Sequence, residues 1–162
     1  MSGATPPAMP DLKKADPMDL GQIGIGILVF ISGLLPFYTA SFEGFGYEVS
    51  DSINAWNGFF GWLGVLLALA ASVVLALGLY GLALPFPARI TVLGGFGAAL
   101  LCLVLAFFII PIDGADELGI DTGHGFGYWL ALVAVIAGTA LAFLKLNDPV
   151  AALPKTTRPP AA

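Results

Sequence analysis

The sequence predicts an all-α fold, an integral membrane bundle of four antiparallel helices. Apolar residues make up 58% of the 162 residues, charged residues make up 10%, and the mean hydropathy is +0.92. A soluble domain of this size could not cover its surface with so few polar groups. The apolar residues are gathered in four runs of about 20 residues, which is the length of a helix that crosses a bilayer.

These four runs define the spans and the tails. We predict spans at about residues 20–40, 58–80, 90–110 and 126–146. Prolines stand where the runs stop, as expected of a residue that ends helices. The turn between the second and third spans is short, so these two helices should be antiparallel neighbours. Residues 1–19 and 147–162 contain several prolines and no continuous apolar run, and we expect disordered tails there.

A weak internal repeat marks the second and fourth spans. Gly58 to Leu63 reads Gly-Phe-Phe-Gly-Trp-Leu, and Gly125 to Leu130 reads Gly-Phe-Gly-Tyr-Trp-Leu. Each segment follows a proline and an acidic connection, which favours two like-oriented helical hairpins. The alternative is coincidence, because aromatic residues commonly begin helices at the membrane interface. The predicted interface anchors are Trp56, Trp62, Tyr128 and Trp129.

The distribution of charge predicts the orientation. The six basic residues fall in the tails or at the turn between the second and third spans, and they are Lys13, Lys14, Arg89, Lys145, Lys155 and Arg158. By the positive-inside rule, both termini and this turn are cytoplasmic. Seven acidic residues and no base lie in the two outer connections, so the net charge of -5 divides into +2 inside and -7 outside. Nothing in this pattern indicates a nucleic-acid partner.

The predicted spans lack the groups that usually carry chemistry in membranes. They contain no Asp, Glu, His or Arg, and Lys145 stands only at the edge of the fourth span. Proton relays, ion-coupled carriers and intramembrane enzymes place ionisable groups at depth. The sequence therefore predicts a protein that is not an enzyme and has no cofactor. The single cysteine, Cys102, can form no disulfide within the chain.

The second outer connection holds the best candidate for a binding site. Its acidic residues and the only histidine offer oxygen and imidazole ligands that suit a divalent cation; these are Asp113, Asp116, Glu117, Asp121 and His124. The spacing fits no EF-hand loop, and the alternative is a solvated acidic loop. His124 could also act as a pH-sensitive group or a general base, against the alternative of a structural histidine.

Four segments of the chain resemble a known group of proteins. They are Phe30 to Tyr38, Asn54 to Trp62, Ala83 to Arg89 and Gly123 to Trp129. Together they are similar to small four-span integral membrane proteins of actinobacteria, a group with no established activity. The resemblance implies a four-span topology in a Gram-positive plasma membrane, and it brings no catalytic residue with it.

The leading functional hypothesis is a non-enzymatic structural or accessory protein of the bacterial plasma membrane. Its expected partners are the lipid bilayer, further copies of itself or other membrane proteins of an envelope complex. The alternative is a small channel or carrier for a neutral or cationic solute, which the acidic outer face would attract. That alternative requires a pore between several copies, because four helices this apolar leave no evident aqueous path.

Overall fold

The computed structural model of the protein describes residues 15–44 and 46–148. Its four long helices are α1 (Pro17–Leu34), α2 (Phe59–Leu79), α3 (Ala88–Phe108) and α4 (Phe126–Asn147). All four are long and apolar enough to cross a membrane. Two short 3-10 helices, Ala55–Asn57 and Asp116–Leu118, lie in the connections. Most of the two predicted tails, residues 1–14 and 149–162, lies outside the described residues.

The four helices form a closed ring in which α1 packs against α2 and α4, and α3 completes the circle. Neighbouring helices run antiparallel. Gly26 of α1 lies against Ser72 of α2, whereas Gly33, further along α1, lies against Val65, nearer the start of α2. The centre is filled by buried apolar side chains, among them Val29, Val65, Phe96, Leu103 and Val135.

The position of α1 differs from the predicted span. The Asp16 side chain accepts a hydrogen bond from the Met18 amide at 2.9 Å, and Pro17 occupies the first turn, where a missing N–H costs nothing. The helix therefore begins three residues earlier than residue 20. It ends at Leu34, because Pro36 disfavours the helical conformation at Leu35, whose ψ is 170°.

The prediction of an all-α fold was wrong in one respect, because the described chain contains a small antiparallel sheet. Its strands are β1 (Tyr38–Gly44), β2 (Tyr47–Ile53) and β3 (Asp121–His124), in the order β2-β1-β3. Tyr38 pairs with Ile53 on one side and with His124 on the other. The sheet thus joins the α1–α2 connection to the α3–α4 connection.

The bundle has two chemically different ends. We call the end that carries the sheet, where α2 and α4 begin, the sheet end, and the opposite end the charged end. The repeated segments both lie at the sheet end, where Gly58 precedes α2 and Gly125 precedes α4. A β-carbon at Gly125 would stand 2.3 Å from the Pro36 carbonyl oxygen, so this close approach requires glycine. The connections that precede the two segments differ, with two strands in the first and one in the second.

Candidate functional site

The charged end contains a cluster of four ionised side chains: Asp16, Asp19, Arg89 and Lys145. The Arg89 guanidinium donates two hydrogen bonds to Asp19, at 2.6 Å to Oδ1 and 3.0 Å to Oδ2. Lys145 Nζ donates to Asp16 and lies 3.9 Å from Asp19 Oδ1. Asp19 is 2% exposed and Lys145 is 4% exposed. The cluster ties the starts of α1 and α3 to the last turn of α4.

The charges of this cluster balance, two acids against two bases, as buried ions must. The hydrogen bond from Lys145 holds the pKa of the Asp16 carboxyl below its ordinary value, and the Met18 amide adds to the effect. A carboxyl with a lowered pKa in the folded protein contributes stability at neutral pH and loses it as the pH falls through that pKa.

A layer of polar contacts lies next to the ion pairs, inside the bundle. Gln22 Nε2 donates to the Gly138 carbonyl at 3.0 Å, and Ser72 Oγ donates to the Gln22 carbonyl at 3.2 Å. Each contact lies beside a glycine: a β-carbon at Gly138 would stand 2.5 Å from the Phe96 ring, and one at Gly26 would stand 1.9 Å from Ser72 Oγ. These bonds satisfy the buried polar groups and tie α1 to both of its neighbours.

Sequence reasoning missed the ion-pair cluster. Asp19 was assigned to the tail and Arg89 to the turn, and the spans were therefore described as free of Asp and Arg. In the structure both residues lie inside helices, α1 and α3, and both take part in the cluster. The signal that could have revealed it is the placement of single opposite charges at three helix ends on the same predicted side of the membrane.

The sheet end holds a cluster of aromatic rings around His124. The His124 ring stacks on Phe107 with centroids 4.9 Å apart and an interplanar angle of 10°. It also lies 4.3 Å from the Tyr128 ring, which packs edge-on against Phe37 at 5.3 Å. The Nε2 atom of His124 lies 3.4 Å from the Ala106 carbonyl oxygen. These contacts hold His124 as a structural part of the junction between α3, β3 and α4.

Two buried tyrosines of this end differ in one respect. Tyr128 donates to the Leu103 carbonyl at 3.0 Å, whereas the Tyr38 hydroxyl has no hydrogen-bond partner among the described residues. Burial raises the pKa of Tyr38 to about 12, so its hydroxyl stays protonated. The hydroxyl fits only because residues 58 and 61 are glycines. A β-carbon added at either Gly58 or Gly61 would stand under 3 Å from the Tyr38 oxygen.

We therefore expect opposite effects from the same substitution at the two tyrosines. Tyr38→Phe removes an unpaired hydroxyl and should leave the free energy of unfolding unchanged or raise it by about 1 kcal/mol. Tyr128→Phe removes a made hydrogen bond and should lower it by about 1 kcal/mol. Chemical unfolding of both variants in the same detergent measures the difference. Equal losses in the two variants would mean that the Tyr38 hydroxyl has a partner.

We expect the stability of the protein to fall in mild acid because of His124. Burial lowers the pKa of this histidine from its ordinary value of 6.5, against a smaller opposing effect of the Ala106 carbonyl. Since the unfolded chain then binds the proton more readily, stability present above about pH 6.5 is lost as the pH falls. The melting temperature should decrease between about pH 7.5 and 5.5, and less so in His124→Gln. An equal decrease in that variant would assign the effect to other groups.

The structure places the candidate cation ligands along the α3–α4 connection. Asp116 and Glu117 belong to the short helix Asp116–Leu118, while Asp121 and His124 are the first and last residues of β3. Asp113 and Glu117 are exposed to solvent. Among the described side chains, no group of three or more His, Cys, Asp or Glu could hold a metal ion.

The predicted interface anchors have unequal environments. Trp129 is 50% exposed, and Trp56, also exposed, packs edge-on against Phe30. Trp62 is half-buried and contacts Phe59. Tyr128 is buried in the bundle rather than at its surface. Three of the four side chains are thus at least partly exposed, while Tyr128 packs in the interior.

Two of the cavities that adjoin the sheet share Ile112 as a lining residue. One of about 410 Å³ lies between the end of α3 and the α3–β3 connection, with Glu117 and Thr122 in its wall. The other, of about 300 Å³, lies between the sheet and Pro111, and Asp51 lines it. Each has one carboxylate in its wall, and the wall of the smaller cavity is mainly apolar. Neither combines a nucleophile, a base and an anion-stabilising group as a hydrolytic site would.

The two ends therefore offer different chemistry, a balanced ion-pair cluster at one and an aromatic and acidic surface at the other. What either end does has to be argued from its geometry, because no family model, no curated protein and no solved structure matches the chain.

Proposed function

We propose that the protein is a non-enzymatic structural or accessory protein of the bacterial plasma membrane that acts within an assembly. In this proposal the four helices span the bilayer, the charged end and both termini are cytoplasmic, and the sheet end faces outward. The lengths of the helices, 18 to 22 residues, support the spanning arrangement. Arg89 and Lys145 at the charged end support the orientation.

One observation carries the proposal. Within the four long helices α1 to α4, every Asp, Glu, Lys and Arg lies at the charged end, and these are Asp19, Arg89 and Lys145. Their charges are neutralised within the cluster that they form with Asp16. An intramembrane enzyme or a proton-coupled carrier would need ionisable groups at mid-depth, where this bundle has apolar core.

Two of the hydroxyl groups inside the helices bond to carbonyls of their own helix. Ser32 donates to the Leu28 carbonyl at 2.7 Å, and Thr139 donates to the Val135 carbonyl at 2.8 Å. Each bond stays within one turn of one helix. A bundle whose interior is filled by apolar side chains serves best as a scaffold that holds the sheet at the membrane surface.

The runner-up is a small channel or carrier for a neutral or cationic solute. The acidic residues at the sheet end favour it, because a negative vestibule concentrates cations. The pore would have to lie between copies of the chain, since the interior of one copy is packed. Flux of potassium or of a neutral solute into liposomes that contain the purified protein would support this function, and equal flux into protein-free liposomes would remove it.

The assembly proposal is tested by isolating the native protein in mild detergent, crosslinking it and measuring its mass. We expect either a homo-oligomer or a defined complex with other membrane proteins. The same isolation after solubilisation in a harsh detergent, which separates weak assemblies, is the control. A strictly monomeric protein that crosslinks to nothing in intact membranes would contradict the proposal.

A further inference from the structure

The strand β2 is an edge of the sheet, and its outward-facing backbone groups can be identified. The Gly125 amide donates to the Phe37 carbonyl at 3.0 Å, so the odd-numbered residues of β1 bond toward β3 and the even-numbered ones toward β2. Through the register of the β1–β2 pair, Tyr47, Val49, Asp51 and Ile53 bond to β1. Glu48, Ser50 and Ser52 therefore direct their N–H and C=O groups away from the sheet.

This outer edge has no strand beside it among the described residues. The Ser52 amide is already used, since it donates to Asp51 Oδ1 at 2.7 Å. Glu48 and Ser50 keep both a donor and an acceptor directed outward, and both residues are exposed. Unused backbone groups in an extended strand are a template for one more strand.

The two faces of β2 specify what such a strand would carry. On one face Glu48 stands directly opposite Glu43, in a non-hydrogen-bonded pair whose Cα atoms are about 4.5 Å apart. Like charges directly opposite each other in a sheet repel, and the chain has no Lys or Arg between residues 15 and 88 to neutralise them. A basic side chain placed beside Glu48 by an added strand would relieve the repulsion.

The opposite face of β2 is apolar near the hairpin turn. Tyr47 is 76% exposed and Val49 is 61% exposed, and Phe42 of β1, the partner of Val49, is also exposed. Side chains of a strand alternate between the two faces. A strand that meets both faces of β2 would therefore alternate basic and apolar residues.

We propose that the β2 edge docks an extended, alternating basic and apolar segment of a partner protein outside the membrane, which adds a fourth strand to the sheet. Backbone bonds to Glu48 and Ser50 fix the segment, its Lys or Arg stands beside Glu48, and its apolar side chains cover Tyr47 and Val49. The inference rests on the proposed accessory function and outward orientation, and it names the class of partner.

A second copy of the chain is a poorer occupant of this edge. Its β2 would bring another Glu48 and Asp51 and no basic residue. Pairing two such strands would add like charges to an edge that already holds an unrelieved pair, and charged edges are how sheets avoid self-association. The acidic residues of β2 thus disfavour pairing with the β2 strand of a second copy and favour pairing with a basic segment.

Synthetic peptides test the docking on the full chain in nanodiscs of zwitterionic lipid, with empty nanodiscs as the blank. The capped peptide Lys-Val-Lys-Val-Lys-Val should bind, and its affinity should fall with added salt. The peptide Glu-Val-Glu-Val-Glu-Val should not bind. A third peptide has the basic sequence with N-methyl groups on the backbone nitrogens of alternate residues. Its affinity should fall about three- to tenfold for each backbone hydrogen bond removed. Equal affinity of the methylated and unmethylated basic peptides would overturn strand addition.

Variants of the chain locate the docking site. Glu48→Gln should lower the affinity for the basic peptide about two- to fivefold. Glu117→Gln removes the same charge from the connection beside β3, the far edge of the sheet, and should change the affinity less than twofold. Ser50→Pro keeps the bonds between β1 and β2, because the Ser50 amide faces outward, and should weaken binding about three- to tenfold. Equal effects of Glu48→Gln and Glu117→Gln would overturn the assignment to the β2 edge.

Amide hydrogen exchange gives a readout that does not depend on affinity. The basic peptide should slow exchange at Glu48 and Ser50, while Val49 and Asp51, already bonded to β1, should change little. Concentration-dependent protection of Glu48 and Ser50 without peptide would instead indicate self-pairing and overturn the proposal. The proposed accessory function is rejected by different results, namely solute flux into liposomes or a strictly monomeric native protein. Neither of these results depends on whether the peptide binds.

Discussion

Replacing Asp19 by asparagine is expected to lower the free energy of unfolding by about 3 to 5 kcal/mol, among the largest effects available in this chain. The substitution removes the carboxylate that pairs with the partly buried Arg89 and lies 3.9 Å from the buried Lys145. An uncompensated charge in a buried site is far more costly than the loss of an exposed ion pair. Chemical unfolding in a mixed micelle, followed by tryptophan fluorescence, measures the loss.

Two matched variants separate this effect from a general loss of charge. Asp16→Asn removes a carboxylate that is 46% exposed, and it should cost much less. Adding Arg89→Gln to Asp19→Asn removes the orphaned guanidinium and should restore part of the lost stability. If Asp19→Asn cost less than about 1 kcal/mol, the charged end would be hydrated rather than buried.

Replacing Gly26 by alanine is expected to destabilise the bundle by about 1 to 3 kcal/mol. The new β-carbon would stand 1.9 Å from Ser72 Oγ and 2.5 Å from Ser72 Cβ, so α1 and α2 would have to separate. Separation would also strain the hydrogen bond from Ser72 to the Gln22 carbonyl. The free energy of unfolding of this variant is measured under the same conditions as for Asp19→Asn and compared with that of the unchanged protein.

The matched control is Gly94→Ala, because nothing lies within 4 Å of a β-carbon at that position of α3. It should leave stability unchanged or raise it by up to about 1 kcal/mol, since alanine is the better helix former. Combining Gly26→Ala with Ser72→Gly removes both atoms of the clash and should cost less than the sum of the single changes. Equal losses in Gly26→Ala and Gly94→Ala would mean that α1 and α2 do not pack this closely.

The helices could be predicted from the sequence, because a run of about 20 apolar residues has few other solutions. Their boundaries followed local chemistry that a hydropathy run does not resolve. Asp16 and Pro17 extend α1 into the predicted tail, and Pro36 ends it early. The predicted first span of residues 20–40 thus joined the end of a helix to the beginning of a strand.

The sheet had a signal that the acidic character of the connection concealed. Residues 38–43 alternate strictly, with Tyr38, Ala40 and Phe42 between polar neighbours, which is the two-residue period of a strand. The four-residue strand β3 has no such pattern, and only its pairing with β1 defines it. The ion-pair cluster is harder still, because it joins Asp19 to residues 70 and 126 positions away along the chain.

The two ends of the molecule have complementary parts in the proposed function. The charged end ties the starts of α1 and α3 to the last turn of α4 through its ion pairs. The sheet end extends an acidic edge strand whose backbone is free at Glu48 and Ser50. A rigid bundle that holds such an edge at the membrane surface is suited to positioning a partner.

Site-specific labelling tests the orientation on which the whole account depends. In a Cys102→Ala background, single cysteines are placed at Ser50 on the sheet and at Ala83 in the α2–α3 turn, both exposed positions. Intact cells are then treated with a membrane-impermeant maleimide, and permeabilised cells serve as the control. We expect Ser50→Cys to react in intact cells and Ala83→Cys only after permeabilisation. Labelling of Ala83→Cys but not Ser50→Cys in intact cells, or equal labelling of both, would contradict the account.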